Sequence, residues 1–185
     1  MRIAAVAVLA MAAMAGAAWA QQEKLPEPSA VEKELAAHAD DVTEVTLSKQ
    51  MLVFAAKFMD KEDDAEAKEL IRNLDGIYVR DYTFEHEGEV TPEKVALLKS
   101  YYAAGEWTPM VHSTERKAHE TADVMMKVVN GETRGLFVLT TEPKELTIVL
   151  ILGPIKVEDL GKLQGIHGLG ALSAVGKAAK TEQGK

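Results

Sequence analysis

A chain of 185 residues without a single cysteine has no disulfide, no thiol nucleophile and no Cys-ligated metal to work with, so its core alone must hold it together. Its 29 Asp+Glu against 21 Lys+Arg give a net charge of −8. That balance sets aside nucleic-acid backbones and anionic membrane surfaces as partners.

The first twenty residues, MRIAAVAVLAMAAMAGAAWA, predict a signal peptide. Arg2 supplies the positive start, Ile3 to Gly16 the apolar stretch, and Ala18-Trp19-Ala20 the small-x-small site for cleavage before Gln21. The apolar part falls short of the ~20 residues a spanning helix needs, and polar QQEK follows at once. No transmembrane segment is therefore expected after cleavage. Alanine-rich signals of this kind are bacterial, so the predicted destination is periplasmic or secreted. The remainder, from Gln21 to Lys185, suits one domain with a substantial core.

Residues 21–41 read as a lead-in and a short helix. Ser29-Ala-Val-Glu32 is a capping box that starts the helix, which runs to about Ala39 and is expected to attach loosely. Val42 to Ser48 is a short β-rich run, and Ser48 can cap the helix that follows. There Met51, Phe54, Ala55, Phe58 and Met59 recur at helical spacing, a stripe predicted to face the core. The acidic run Asp60 to Asp64 breaks it. Ala67, Leu70, Ile71 and Leu74 form the stripe of the next helix. Asp75-Gly76 ends that helix, with Gly76 expected in the left-handed conformation. Ile77 to Glu87 reads as a strand turned by Gly88. Thr91-Pro92-Glu93 is a helix start, with Val95, Leu98 and Tyr102 on its inner face, Leu97 and Tyr101 beside them, and Gly105 as its stop.

From Trp107 the character changes. WTPMVHSTER, ADVMMKVV, RGLFVLTT and KELTIVLIL are four strand-like runs. Asn130-Gly131 tolerates the positive φ of a tight hairpin, and Thr141 to Lys144 makes a second turn. Short links between consecutive strands imply an antiparallel meander. In LTIVLIL, Leu146, Ile148, Leu150 and Leu152 share one side, and Thr147, Val149 and Ile151 the other. Both sides are apolar, so this is a central strand. Its second face needs a cover: the chain's own tail, a twin subunit or a partner. Gly153-Pro154 ends it, and Val157 to Leu163 fits a short helix. Residues 165–185 are a Gly/Ala/Lys-rich flexible tail in which Ile166, Leu169, Leu172 and Val175 recur every third residue. The expected fold is α+β over 42–164, a mostly antiparallel sheet with a late four-strand meander and helices packed on one face.

Candidate chemistry is sparse. Among the five histidines, Glu115, His119 and Glu120 form the densest cluster, but ERKAHE reads as a charged connection between strands. Met110 and His112 would share one face of a strand, with Met125 and Met126 nearby, a thioether and an imidazole that could hold copper. Methionine as core filler explains the same residues. The carboxylate pairs Asp40-Asp41 and Asp63-Asp64 sit at turns or helix starts, and Glu85/Glu87 flank His86 at a solvated strand end. None of the serines, Ser29, Ser48, Ser100, Ser113 and Ser173, stands in G-x-S-x-G or S-x-x-K. The glycines at Gly165, Gly168 and Gly170 do not match a phosphate-loop spacing. No catalytic, cofactor-binding or metal-binding residue is assigned, and no cofactor is expected.

Gly76-Ile77-Tyr78-Val79-Arg80-Asp81-Tyr82 and the late hairpin from Gly135 to Ile155 carry a resemblance. Together with LSKQMLVFAAKFM and the signal peptide, the chain resembles the bacterial family called domain of unknown function 4252, across about Val42 to Gly165. The resemblance implies no catalytic residues. It implies an exported protein for which a role in envelope signalling is more plausible than catalysis. The expected function is thus non-enzymatic protein binding, with an envelope protein or a second copy as partner. The alternative is a small-ligand carrier with a pocket between sheet and helices, and after it a metal-dependent hydrolase.

Overall fold

A single six-stranded antiparallel sheet runs through the middle of the molecule, in the order β1-β2-β6-β5-β4-β3. The computed structural model describes residues 26–58, 65–104 and 106–156. In chain order the elements are α1 (Ala30–His38), β1 (Asp41–Ser48), α2 (Lys49–Ala55) continued by a 3-10 turn (Ala56–Phe58), and α3 (Ala65–Asn73). They continue with β2 (Gly76–Thr83), α4 (Pro92–Tyr102), β3 (Trp107–Glu115), β4 (Glu120–Val129), β5 (Glu132–Glu142) and β6 (Glu145–Leu152). The α+β class and the β3-β4-β5-β6 meander are as expected. Asn130 and Gly131, at φ 53 and 82, make the β4–β5 turn. The expected helix from Val157 and the tail lie outside the described residues.

β6 sits between β2 and β5, and its seven-residue apolar run is buried on both faces. Leu146, Ile148, Leu150 and Leu152 join one core cluster with Leu35 of α1 and Leu98 and Tyr102 of α4. Val149 and Ile151 join the other, with Leu52 and Ala56 from α2 and the 3-10 turn and Leu70, Ile71 and Leu74 around α3. Each such side chain contributes roughly 1.5–3 kcal/mol by leaving water. The helices therefore cover both faces, two to a face, and not one face as expected. The reason is the strand itself: apolar residues at both parities of one strand need a cover on each side. The chain's own α2 and α3 cover the Val149–Ile151 side.

The junctions explain three further departures. α1 is not loosely attached. Its capping box forms as expected, with Ser29 Oγ accepting from Glu32 N at 3.1 Å, and Leu35 and Glu32 are fully buried. Gly76 is the first residue of β2, facing Ser48 and Leu152; it is not left-handed. The chain turns at Leu74-Asp75 instead, where Asp75 N donates to Leu152 O at 2.7 Å. A left-handed glycine is found opposite, at Gly153 (φ 122), where an added Cβ would lie 2.6 Å from Asp75 N. β2 ends at Thr83, short of the expected Glu87; Phe84 adds one further bond at the start of β6, its N–H donating to Lys144 O at 2.9 Å, and the chain then leaves the sheet through exposed Glu85, His86 and Glu87.

α4 starts and ends close to expectation, capped by Thr91 with Pro92 in its first turn. Leu98 and Tyr102 are buried and Val95 is half-buried, while Leu97 and Tyr101 face solvent. Gly105 lies outside the described residues, and the helix already stops at Tyr102.

Candidate interaction surface

The stripe expected to fill the core does the opposite. Met51 is 51 % exposed, Phe54 60 % and Phe58 70 %, and Ala55 is also exposed. Leu52 and Ala56, at i and i+4, are the buried pair. Ser48 is both the last residue of β1 and the N-cap of α2, its Oγ accepting from Met51 N. With no linker between strand and helix, the direction of β1 sets the rotation of α2, and Leu52 and Ala56 point to the sheet. Met59 lies outside the described residues. Phe54 and Phe58 touch edge to face, with ring centroids 4.9 Å apart. Between α2 and α3 an open groove of about 490 Å³ is lined by Val53 and by Ala65, Lys68, Glu69, Arg72 and Asn73. Two aromatics and a methionine exposed on one face of a short element form an apolar surface of the kind that marks interaction sites. Leu97 and Tyr101 are also exposed, but Tyr101 donates to Glu27 O at 3.0 Å and so holds the N-terminal segment.

The residues weighed for chemistry are scattered. Glu115 and Glu120 face each other across the β3–β4 turn, and His119 sits in that turn at φ 56. Met110 falls in a β-bulge between Pro109 and Val111, so the simple alternation that would align it with His112 is broken. His112 turns to Asp123 instead: Nδ1 lies 2.8 Å from Oδ1, the oxygen that also accepts from Lys99 Nζ at 2.8 Å. Thr114 Oγ1 is 3.4 Å from the imidazole Nε2. Hydroxyl, imidazole and carboxylate thus stand in the order of a proton relay. The hydroxyl and imidazole stand exposed on the edge strand β3, however, and the oxygen of the buried Asp123 carboxylate on β4 is shared with an ammonium group. The arrangement serves to tie α4 to β3 and β4. Met125 packs on the α1/α4 cluster, and Met126 Sδ accepts from Thr133 Oγ1 at 3.3 Å. Glu85, His86 and Glu87 are exposed, Asp40 and Asp41 flank the start of β1, and Asp63-Asp64 lies outside the described residues. Ser29 and Ser48 cap helices, Ser100 is in α4, Ser113 is an exposed residue of β3, and Ser173 and the tail glycines lie outside the described residues. No group of three or more His, Asp or Glu among the described residues could hold a metal ion.

Sequence reasoning missed the most closely knit polar group. Tyr78 and Tyr82 point from β2 to the α1/α4 face, Tyr102 points down from α4, and all three hydroxyls converge on Glu32. Glu32 Oε1 accepts from Tyr78 at 2.8 Å and Tyr82 at 3.5 Å, and Oε2 accepts from Ser29 N at 2.7 Å and from Tyr102. Burial raises all three phenol pKa values above the ordinary tyrosine value, and the Glu32 carboxylate adds to the rise. Arg80, also buried, stacks on the Tyr78 ring at 3.9 Å and donates to Val79 O, Thr46 Oγ1 and Val45 O. Glu44 completes its surroundings at 3.5 Å from Nε. The Glu32–tyrosine cluster is buried and holds α1 and α4 to the sheet, while Arg80 reaches from it to the exposed Glu44 and Thr46 of β1. Its one legible signal was Tyr78, Arg80 and Tyr82 at strand spacing.

The space between sheet and helices, where the alternative reading placed a ligand pocket, holds the two core clusters. No helix among the described residues is long and apolar enough to cross a membrane. Residues 36–163 match the model of a family described as Domain of unknown function (DUF4252). No curated protein matches the chain.

Proposed function

The chain belongs to that family, and from this premise we propose that it is an exported bacterial protein that acts by binding another protein, in envelope signalling, and not by catalysis. The observation that carries the reading is the Met51–Phe54–Phe58 face of α2, apolar and exposed on a helix whose other side is already packed. Methionine and aromatic side chains adapt to a partner's apolar surface. The net charge of −8 disfavours an anionic lipid surface as the occupant. The signal-like first twenty residues, Met1 to Ala20, support export to the periplasm or beyond.

Two measurements test it. Affinity capture from the envelope fraction of the native host, at native expression, should retain a specific protein with the wild type. A Phe54→Ser/Phe58→Ser double variant with an unchanged melting curve should lose that protein. Equal capture by both, or no specific capture by the wild type, refutes the reading. N-terminal sequencing of protein from cells should begin at Gln21; an intact Met1 chain in the cytoplasm rules out export.

A further inference from the structure

Among the described residues the sheet ends in two edge strands, β1 and β3, and they are built differently. β3 carries Pro109, which has no N–H to give, and a bulge between Pro109 and Val111. Both features keep an edge from accepting another strand. β1 has neither. From Asp41 to Ser48 it runs in unbroken register with β2, and no strand among the described residues takes up the backbone N–H and C=O groups on its outer side. Neither lysine nor arginine stands on it. Its one charge away from the ends, Glu44, is drawn to the buried Arg80 guanidinium at 3.5 Å. Val42, Val45 and Leu47 pack on the two core clusters but stay only half-buried.

We propose that β1 pairs with β1 of a second copy, antiparallel, about a twofold axis through Val45, and so joins two sheets into one. The register follows from the pleat. Opposed residues must lie on the same face, so their numbers differ by an even amount. An axis at Glu44 would set two carboxylates against each other, and one at Thr46 would leave Val42 and Thr43 unpaired. An axis at Val45 sets Val45 against Val45, Glu44 against Thr46, Thr43 against Leu47 and Val42 against Ser48. No like charges oppose in that register. Both α2 helices then lie on one side of the joined sheet, and the dimer presents two Met51–Phe54–Phe58 faces in one direction. The pairing does not depend on what that face binds.

The absence of cysteine lets a single introduced thiol report the register. In the processed chain, Val45→Cys should give a disulfide-linked dimer under mild oxidation, because opposed Cβ atoms lie about 4.5–5.5 Å apart. Thr43→Cys should not, since its two thiols would sit roughly 14 Å apart along the strands. Light scattering on the unmodified chain should give twice the monomer mass. Val45→Lys, which sets two like charges on the axis, should return the monomer mass with the circular dichroism of the wild type. Should that variant fail to fold, the cysteine pair and the wild-type mass still decide. Equal cross-linking of both cysteine variants, or a monomeric wild type at micromolar concentration, overturns the pairing.

Discussion

Glu32 shows how far one residue's role depends on what surrounds it. As part of Ser29-Ala-Val-Glu32 it is a capping residue, and it does cap. The same carboxylate also accepts from Tyr78, Tyr82 and Tyr102, drawn from two other elements. Glu32→Ala would remove the acceptor shared by three buried hydroxyls and the Ser29 N–H, leaving only the Tyr102–Tyr78 bond at 2.9 Å, so we expect a loss of about 3 kcal/mol or more, read as a lower urea midpoint at unchanged m. Tyr102→Phe, which removes one donor, should cost about 1 kcal/mol. At Asp81 burial outweighs the hydrogen bonds that the carboxylate accepts. Burial, with the Asp41 charge adding, holds its pKa above the ordinary value of 3.8 despite a hydrogen bond from Thr147. Glu145 beside it is raised for the same reasons, burial first and the Asp81 charge second. The folded state thus keeps the Asp81 proton more tightly than the unfolded chain does. The resulting cost is absent below the unfolded value, grows as pH rises through the folded one, and is fully present at neutral pH. Asp81→Asn should accordingly melt higher than wild type at pH 7, and the gain should vanish near about pH 3.5. A gain that persists in acid would locate the effect elsewhere.

Among the elements, α2 is where local pattern and tertiary structure part company. Its sequence holds two overlapping stripes, Met51/Phe54/Ala55/Phe58 and Leu52/Ala56, and the larger one invites assignment to the core. Periodicity reports that a helix has an apolar side. It does not report the helix's rotation when two sides qualify, and here the direct junction at Ser48 decides. Mutation separates the two phases cleanly. Leu52→Ala should cost about 2–4 kcal/mol, while Phe54→Ala should stay within about 0.5 kcal/mol, both by chemical denaturation. The reverse order would restore the larger stripe to the core. β6 was legible for the converse reason: apolar residues at both parities, with Thr147 the one polar residue after Glu145, leave no phase to choose. Met110 was misread because a bulge inserts one residue into the alternation, and nothing but the partner strand's register reveals it.

On the scale of the whole molecule, the α1/α4 face ties the N-terminal helix into the domain. The family match begins at residue 36, yet the packed unit already includes Ser29, Glu32 and Leu35. A chain begun at Asp40 should therefore lose cooperative thermal unfolding and bind a hydrophobic dye; a melt like that of the longer chain would show α1 to be dispensable. The sequence by itself determined the strand and helix content, two of the three hairpin turns of the meander, the caps at Ser29, Ser48 and Thr91, and the family. These follow from interactions within a few residues, which short windows record. Only the tertiary structure decided that the helices divide between two faces, that α2 turns its aromatics outward, that three tyrosines close on Glu32, and that β1 is left as the unguarded edge. Each of those rests on contacts between residues far apart in the chain, where the free energy of burial selects among arrangements that local spacing leaves equal.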